Sequence, residues 1–326
     1  MWSRRELGWL GLGGLCAWAG RPRSRRPGPP HLWLADRAFG ALVRCDADGL
    51  VLDELPLAAP RALVSDGRGG VWALSAVEGV AYGPHALVHV SHDGVFVERI
   101  PCPPPRDPAC RASLAVGPDG RPGLVAAGGA DHALTWFGGA GARDGGLGHE
   151  PVCVAASAGV LWCVGRGGEV SAATAARRPT VARQGLPRDA EPVRIAPDLD
   201  GRAAWVLAAG AHEAWLGRWV CDAGGAPSRM WVRSFELAPA ALATTPHGVA
   251  WIVDRRGTLA LAVTPEARVA AWRRDLATPG VEAGVGAPDG GAWFAAGGAL
   301  LRVGPRGEPR PGQGGFGHVV ALSLAR

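Results

Sequence analysis

The chain has 326 residues, of which 48% are hydrophobic and 19% charged, so it can bury a large core. Its formal net charge of +5 comes from residues 1–30, which hold six Arg and one Glu and leave 28 basic and 28 acidic residues in the body. Because a neutral body lacks the overall basic field that drives binding to nucleic acid, we expect no nucleic-acid partner.

Residues 1–30 have the layout of an export signal. An Arg pair is followed by a short apolar stretch, Leu7 to Trp18, and by an A-x-A-type cleavage site before Gly20. The start, Ser-Arg-Arg, resembles a twin-arginine signal, and the apolar stretch is shorter than the roughly 20 residues that span a bilayer. We predict export to the periplasm or the cell exterior without a transmembrane segment. The alternatives are a disordered basic tail and a cytoplasmic protein.

A unit made of a strand, a turn rich in Gly and Asp, and a second strand with a Trp recurs along the body. Residues 60–76, PRALVSDGRGGVWALSA, are a clear copy, and two further strands follow each turn. The marker positions in the second strands are Trp33, Trp72, Val125, Trp162, Trp205, Trp251 and Trp293. A period of roughly 40–45 residues built from short strands is typical of a β-propeller blade.

The seven markers predict an all-β, single-domain propeller over residues 31–326, with seven four-stranded blades. The first unit lacks its innermost strand, and residues 318–325, HVVALSLA, supply a spare one. Pairing this strand with residues 32–35 would close the ring and cover strand edges that would otherwise be open. Six and eight blades are the alternatives, because the third unit is long and irregular.

The repeat P-R-A-L-V-x-D-G-x-G-x-V-W-A-L resembles the blades of NHL-type and streptogramin-lyase-like propellers. The resemblance covers residues 31–326 at the level of the repeat. It implies the fold and leaves the function open, since related propellers include lyases, lactonases, ligand-binding domains and protein-docking platforms. No segment matches the catalytic segment of streptogramin lyases. Gluconolactonase-like propellers bind a divalent metal with Glu, Asp and Asn, and this chain contains no Asn.

Propeller sites usually lie at one mouth of the central channel, on loops that lead into the innermost strands and on loops between second and third strands. Polar residues there are candidates for binding, although rim loops are also polar simply because they face water. The binding candidates are Arg61, Glu150, Glu191, Arg194, Glu282, Asp36, Arg37, Asp254 and Arg255. As an alternative, Glu150, Glu191 and Glu282 could hold a divalent cation such as Ca²⁺ or Mg²⁺. His318 and His149 would then be the candidate acid–base residues.

Seven Cys residues are present, and removal of Cys16 with a signal would leave six. Cys153 and Cys163 are symmetric about Ala158 at a hairpin tip, so we expect them to face each other and to form a disulfide. Cys102 and Cys110 bracket a Pro-rich loop and are a second candidate pair. Two local pairs would agree with an oxidising compartment. The alternative is reduced, buried Cys.

These observations predict a non-catalytic, monomeric propeller that binds a small molecule or an unknown protein at the channel mouth, without a cofactor. One alternative is a metal-assisted lyase or hydrolase of a small cyclic ester that uses the acidic and His residues of the mouth. A second alternative is a purely structural interaction platform, which would display an exposed apolar patch.

Overall fold

The computed structural model describes residues 30–75, 85–102, 111–117, 120–127, 133–138, 141–145, 149–174, 177–222, 225–274, 276, 280–296 and 298–325. The predicted export segment lies outside these residues apart from Pro30. Across the described ranges, no helix has the length and apolar character needed to cross a membrane.

Within these ranges, twenty-eight strands, numbered in chain order, form seven four-stranded antiparallel sheets, here blades 1 to 7. Blade 1 contains the last strand, β28 (Val319–Ala325), with β1 (His31–Asp36), β2 (Ala41–Cys45) and β3 (Val51–Pro56). Blade 2 contains β4 (Pro60–Ser65), β5 (Val71–Ser75), β6 (His85–Val90) and β7 (Phe96–Cys102). Blade 3 contains β8 (Arg111–Val116), β9 (Pro122–Ala127), β10 (Ala133–Gly138) and β11 (Gly141–Gly145).

The remaining blades follow the same order from the innermost to the outermost strand. Blade 4 contains β12 (Pro151–Ser157), β13 (Val160–Gly165), β14 (Val170–Thr174) and β15 (Arg177–Val181). Blade 5 contains β16 (Glu191–Pro197), β17 (Ala203–Ala209), β18 (Ala214–Cys221) and β19 (Pro227–Phe235). Blade 6 contains β20 (Pro239–Thr244), β21 (Ala250–Asp254), β22 (Leu259–Val263) and β23 (Val269–Arg274). Blade 7 contains β24 (Val281–Gly286), β25 (Ala292–Ala296), β26 (Ala299–Val303) and β27 (Pro309–Gly314).

The blades close into a ring around a central channel. Their innermost strands contact one another in turn, and β28 contacts both β24 and β4. Seven buried apolar clusters lie one between each pair of adjacent blades. The protein is therefore an all-β β-propeller, and its described residues form seven four-stranded sheets.

Blade 1 joins the two ends of the body, as predicted. β1 pairs with β28 in antiparallel register, with Leu32 opposite Leu324 and Ala35 opposite Ala321. Just beyond this pairing, the backbone N–H of Arg37 donates to the carbonyl of His318 at 2.8 Å. The ring therefore closes through backbone hydrogen bonds rather than through side chains alone.

The recurring turn and the marker Trp form one structural unit. In blade 2, Asp66 Oδ1 accepts the backbone N–H groups of Arg68 (2.7 Å) and Gly70 (2.9 Å), and this fixes the turn between β4 and β5. The marker Trp72 follows in β5 and is almost completely buried. Its indole N–H donates to the carbonyl of Gly120 in the corresponding turn of blade 3, at 3.1 Å. This hydrogen bond therefore joins blade 2 to blade 3.

Two other markers make the same bond to the following blade, namely Trp162 to Gly201 at 2.9 Å and Trp251 to Gly290 at 3.0 Å. Val125, which occupies the marker position of blade 3, is also fully buried. The markers are therefore core residues, as their position in the repeat predicts.

Four marker Trp residues are covered by a side chain from the third strand of the same blade, a His in blade 2 and an Arg in the other three. The pairs are His89 stacked on Trp72 (4.6 Å), Arg218 over Trp205 (5.2 Å), Arg302 over Trp293 (5.0 Å) and Arg44 over Trp33 (6.0 Å). Each of these four side chains also contacts a carboxylate, respectively Asp66, Asp198, Asp289 and Asp53. The three Arg residues make cation–π contacts, which add about 0.5–2 kcal/mol each. In blades 2 and 7, Asp66 and Asp289 thus hold both the turn and the side chain that covers the Trp.

Gly70 is the second of two Gly residues that precede the marker Trp of blade 2, and no larger side chain fits at its position. A Cβ at Gly70 would collide with the carbonyl oxygen of Val90 and lie 2.6 Å from Asp66 Oδ2. We expect Gly70→Ala to lower the free energy of unfolding by about 1–3 kcal/mol, because the backbone of β6 must move. The measurement is urea unfolding followed by Trp fluorescence. Gly314→Ala is the control, since a Cβ there would meet nothing within 4 Å, and an equal loss in both variants would contradict the steric explanation.

Candidate functional site

The innermost strands share a β-bulge at the end where the chain enters them. In six blades the pairing with the second strand skips one residue near the start of the innermost strand. The skipped residues are Arg61, Val152, Val193, Ala240, Glu282 and Val320. A bulge redirects its side chain and is common beside functional sites. The six residues mark one level of the channel mouth, and only Arg61 and Glu282 among them are charged.

Sequence reasoning did not identify these bulges, although a signal for them exists. In four blades the bulged residue directly follows a Pro in the first or second position of the innermost strand, and these Pro residues are Pro60, Pro151, Pro192 and Pro239. Pro has no backbone N–H to donate to the sheet, so within sheets it is found at the first residue of a strand or at a bulge. The Pro noted in the repeat therefore marks the bulge as well as the start of the strand.

Three of the predicted residues come together at this level. His318, just before β28, places Nε2 2.7 Å from Oε2 of Glu282 in β24. Arg194 of β16 donates from Nη2 to the backbone carbonyl of Glu282 at 3.2 Å. Because β16 belongs to blade 5 and β24 to blade 7, Arg194 reaches past the innermost strand of blade 6. About half of each of the His318 and Glu282 side chains is accessible to solvent, so a ligand can reach them.

The side chain of Asp36 is buried and holds the backbone at His318 in place, so it does not face a ligand. Its side chain is fully buried and accepts the backbone N–H groups of Gly317 (2.7 Å) and His318 (3.0 Å). It also accepts those of Ala38 and Phe39, at 3.0 and 3.2 Å. Burial by itself would raise the pKa of Asp36, but the four N–H donors outweigh it and lower the pKa below its ordinary value. We therefore assign Asp36 a positioning role, which differs from the predicted contact with a ligand.

A second polar group lies at blade 4. Arg166 Nη2 is 3.1 Å from Glu150 Oε1. The hydrogen bond to Glu150 raises the pKa of Arg166, and the charge of Glu191 adds to this effect. His149 Nε2 lies 3.5 Å from the hydroxyl of Ser171. Glu150 and His149 thus each contact a residue of blade 4, Arg166 and Ser171 respectively.

The three Glu residues predicted as metal ligands do not share one centre. Glu150 pairs with Arg166 and Glu282 pairs with His318, while Glu191 is exposed at the start of β16. Within the described ranges, no three His, Cys, Asp or Glu side chains are grouped so that they could hold a metal ion.

The remaining candidates lie at other places on the same face. Asp254 is buried at the end of β21, where it accepts the N–H groups of Thr258 and Leu259 at 2.7 and 2.8 Å, so it fixes a turn. The backbone N–H of Arg255 donates to the carbonyl of Ala238 at 2.6 Å, and its side chain is exposed. Arg37 is likewise exposed beside the closing strand. Arg61 Nε is buried without a hydrogen-bond partner among the described residues.

The expected pairing of Cys153 with Cys163 is off by one residue. A two-residue turn at Ala158 and Gly159, both with positive φ, joins β12 and β13, so Ser157 lies opposite Val160. Cys153 consequently lies opposite Val164, and Cys163 opposite Val154. A shift of one residue moves a side chain to the other face of the sheet. The two residues pack into the apolar clusters on different sides of blade 4.

The other predicted pair cannot be placed, since Cys110 lies outside the described residues. Cys102 is buried, and burial raises its pKa to about 11. Burial also raises the pKa of Cys163 to about 12. Both thiols therefore stay protonated near neutral pH, which does not favour a role as nucleophile.

Comparison with known proteins finds likeness in the fold. No protein-family model matches the sequence, and no curated protein matches it. Among solved structures, the periplasmic gluconolactonase PpgL of Pseudomonas aeruginosa is 14% identical, with a TM-score of 0.65 over 90% of this chain and 98% of that one. A streptogramin B lyase is 15% identical, with a TM-score of 0.57 over 87% of each chain.

A catalytically inactive His-to-Ala variant of virginiamycin B lyase from Staphylococcus aureus, solved with quinupristin, is also similar. It is 15% identical, with a TM-score of 0.58 over 84% of this chain and 94% of that one. The chain has the fold of these propellers. At such identities the likeness shows the fold alone.

Proposed function

We propose that this propeller binds a small polar ligand at the channel mouth, between Arg194, Glu282 and His318. The contact of 2.7 Å between His318 and Glu282, in a place that solvent reaches, carries the proposal. Two polar side chains from different blades meet there, and Arg194 is held beside them by its bonds to the carbonyls of Val193 and Glu282. Small-molecule sites typically combine a concave surface with a few converging polar groups of this kind.

The residue types indicate the class of ligand. Arg194 uses two of its five N–H donors on backbone carbonyls, at 3.0 and 3.2 Å, so others are left to bind a carboxylate. His318 and Glu282 can donate to and accept from hydroxyl groups. The site therefore suits a small hydroxylated acid or its cyclic ester.

A second candidate function is the opening of a small cyclic ester. A carboxylate at hydrogen-bond distance orients an imidazole and supports it as a general base. In this reaction His318 takes a proton from water while the water oxygen bonds to the ester carbon. The ring C–O bond then breaks, and the leaving oxygen receives the proton from His318. The neighbours named as a gluconolactonase and as lyases favour testing this candidate.

The test uses D-gluconate as a binding probe and D-glucono-1,5-lactone as a substrate probe. Calorimetry measures gluconate binding, and a pH-stat measures acid release from the lactone above the spontaneous rate. We expect Arg194→Gln and His318→Gln each to weaken gluconate binding by about tenfold or more. His212→Gln is the matched control, because His212 is exposed on another loop of the same face.

Each outcome separates the two functions. Gluconate binding that depends on Arg194 and His318, without enzymatic acid release, supports the binding function. Acid release that is lost in His318→Gln and reduced in Glu282→Gln supports ester opening. If neither probe responds, or if the His212 variant changes binding as much as the His318 variant, the channel mouth is not a site of this kind.

A further inference from the structure

The outermost strands of three consecutive blades are basic, although the body as a whole is neutral. β19, β23 and β27 contain no acidic residue, and they carry Arg229, Arg233, Arg273, Arg274 and Arg310, all exposed. In the described part of the chain, none of these five Arg residues forms an ion pair. The outermost strands β3 and β7 differ, with Asp53, Glu54 and Glu98 against one Arg. We call the five-Arg surface the basic rim.

Large apolar side chains are exposed within the basic rim. Trp272 of β23 is 59% exposed and Met230 of β19 is 60% exposed. The guanidinium of Arg274 lies 5.4 Å from the centre of the Trp272 ring. Arg, Trp and Met are the residue types enriched in protein–protein interfaces, and Trp and Arg are typical of the residues that dominate binding energy. Trp272 differs in this respect from the marker Trp residues, which are buried.

The edge of β23 also offers backbone hydrogen-bonding groups. One side of this strand pairs with β22, where Trp272 lies opposite Leu261, and no described strand pairs with the other side. The bulge in β23 lies at Ala270, so residues 271–274 form a regular strand end. An open, regular edge is a template for the addition of another strand.

We propose that β23 is the docking site for an extended, acidic segment of a partner protein, which adds to blade 6 as a fifth strand. Side chains alternate between the two faces of a strand, so Arg273 lies on one face and Trp272 lies with Arg274 on the other. Carboxylates of the segment pair with Arg273, which has no acidic partner among the described residues. Apolar side chains of the segment pack on Trp272. Charge complementarity selects an acidic partner, and the open strand edge favours a polypeptide over a nucleic acid or a lipid surface.

The test uses a fluorescently labelled peptide of alternating Glu and Val, with binding to the whole protein followed by fluorescence anisotropy. We expect Trp272→Ala and the double variant Arg273→Glu/Arg274→Glu each to weaken binding by about tenfold or more. Added salt should weaken binding to the unmodified protein. Unchanged melting curves show that the exposed substitutions leave the fold intact.

Matched variants on another blade edge provide the control. Phe96→Ala and Arg99→Glu change an exposed aromatic and an exposed Arg on β7, and we expect both to bind the peptide as the unmodified protein does. Equal weakening by the control variants, or no binding of the peptide, would overturn the proposal.

Three further probes test the class of partner and the strand geometry. A peptide with Lys in place of Glu should not bind. A Glu-Val peptide with alternate backbone nitrogens methylated should also fail, because it cannot complete the strand pairing. Retained binding of the methylated peptide, or displacement of the Glu-Val peptide by oligo-dT or by phosphatidylserine vesicles at lower concentration, would contradict strand addition by an acidic protein.

Discussion

Trp162→Ala is expected to lower the free energy of unfolding by about 3–5 kcal/mol, the range measured when a large aromatic residue is removed from a core. Trp162 is completely buried in the apolar cluster between blades 4 and 5. Its indole N–H also donates to the carbonyl of Gly201 at 2.9 Å. The substitution therefore opens a cavity between two blades and leaves a turn carbonyl without its donor.

The measurement is the midpoint of urea unfolding, and Trp272→Ala is the matched control. Because Trp272 is 59% exposed on an outermost strand, its loss should change stability by no more than about 0.5 kcal/mol. Similar losses in the two variants would mean that the marker Trp residues do not hold the blades together. Trp162→Phe should fall between the unmodified protein and Trp162→Ala, since it keeps an aromatic ring and loses the indole N–H.

Asp36→Ala is the second substitution with a large expected effect, a loss of about 2–4 kcal/mol. The buried carboxylate accepts four backbone N–H groups at the junction of β1 with the segment that leads into β28. Hydrogen bonds to a charged acceptor contribute about 1.5–3 kcal/mol each, and bonds to one shared group do not add fully. The measurement is again urea unfolding, and the control is Asp48→Ala, which removes a carboxylate from an exposed turn of the same blade.

The Asp36 contribution should depend on pH in a defined direction. The pKa of Asp36 is below its ordinary value in the folded state, so the unfolded chain takes up this proton first as the pH falls. The stabilisation is complete above the ordinary carboxyl value of about 4 and is lost as the pH falls through the lower, folded value. The melting temperatures of the unmodified protein and of Asp36→Asn should therefore converge below about pH 4. A difference that stays constant from neutral to acid pH would contradict this role.

Much of the fold could be predicted because it follows from local patterns. A blade of a repeat protein uses the same turn and the same buried side chain each time, so the Asp-Gly turns and the marker Trp residues reveal the period. The spare strand at residues 318–325 could be matched to the start of the body, since an incomplete first blade would leave a strand edge open. Cys153 and Cys163 show where such counting fails, because the length of the hairpin turn decides which residues lie opposite each other.

The sequence by itself determined the strands, their grouping into blades and the set of polar residues at one mouth of the channel. The tertiary structure alone decided which of those residues meet, because Arg194, Glu282 and His318 lie in three different blades and are joined only when the ring closes. It also separated Asp36 from the binding candidates, since the burial of a carboxylate under a loop depends on chain segments at opposite ends of the sequence. The basic rim could not be predicted from the net charge of the body, which is neutral. A sum over the chain does not show which blade edge each Arg occupies.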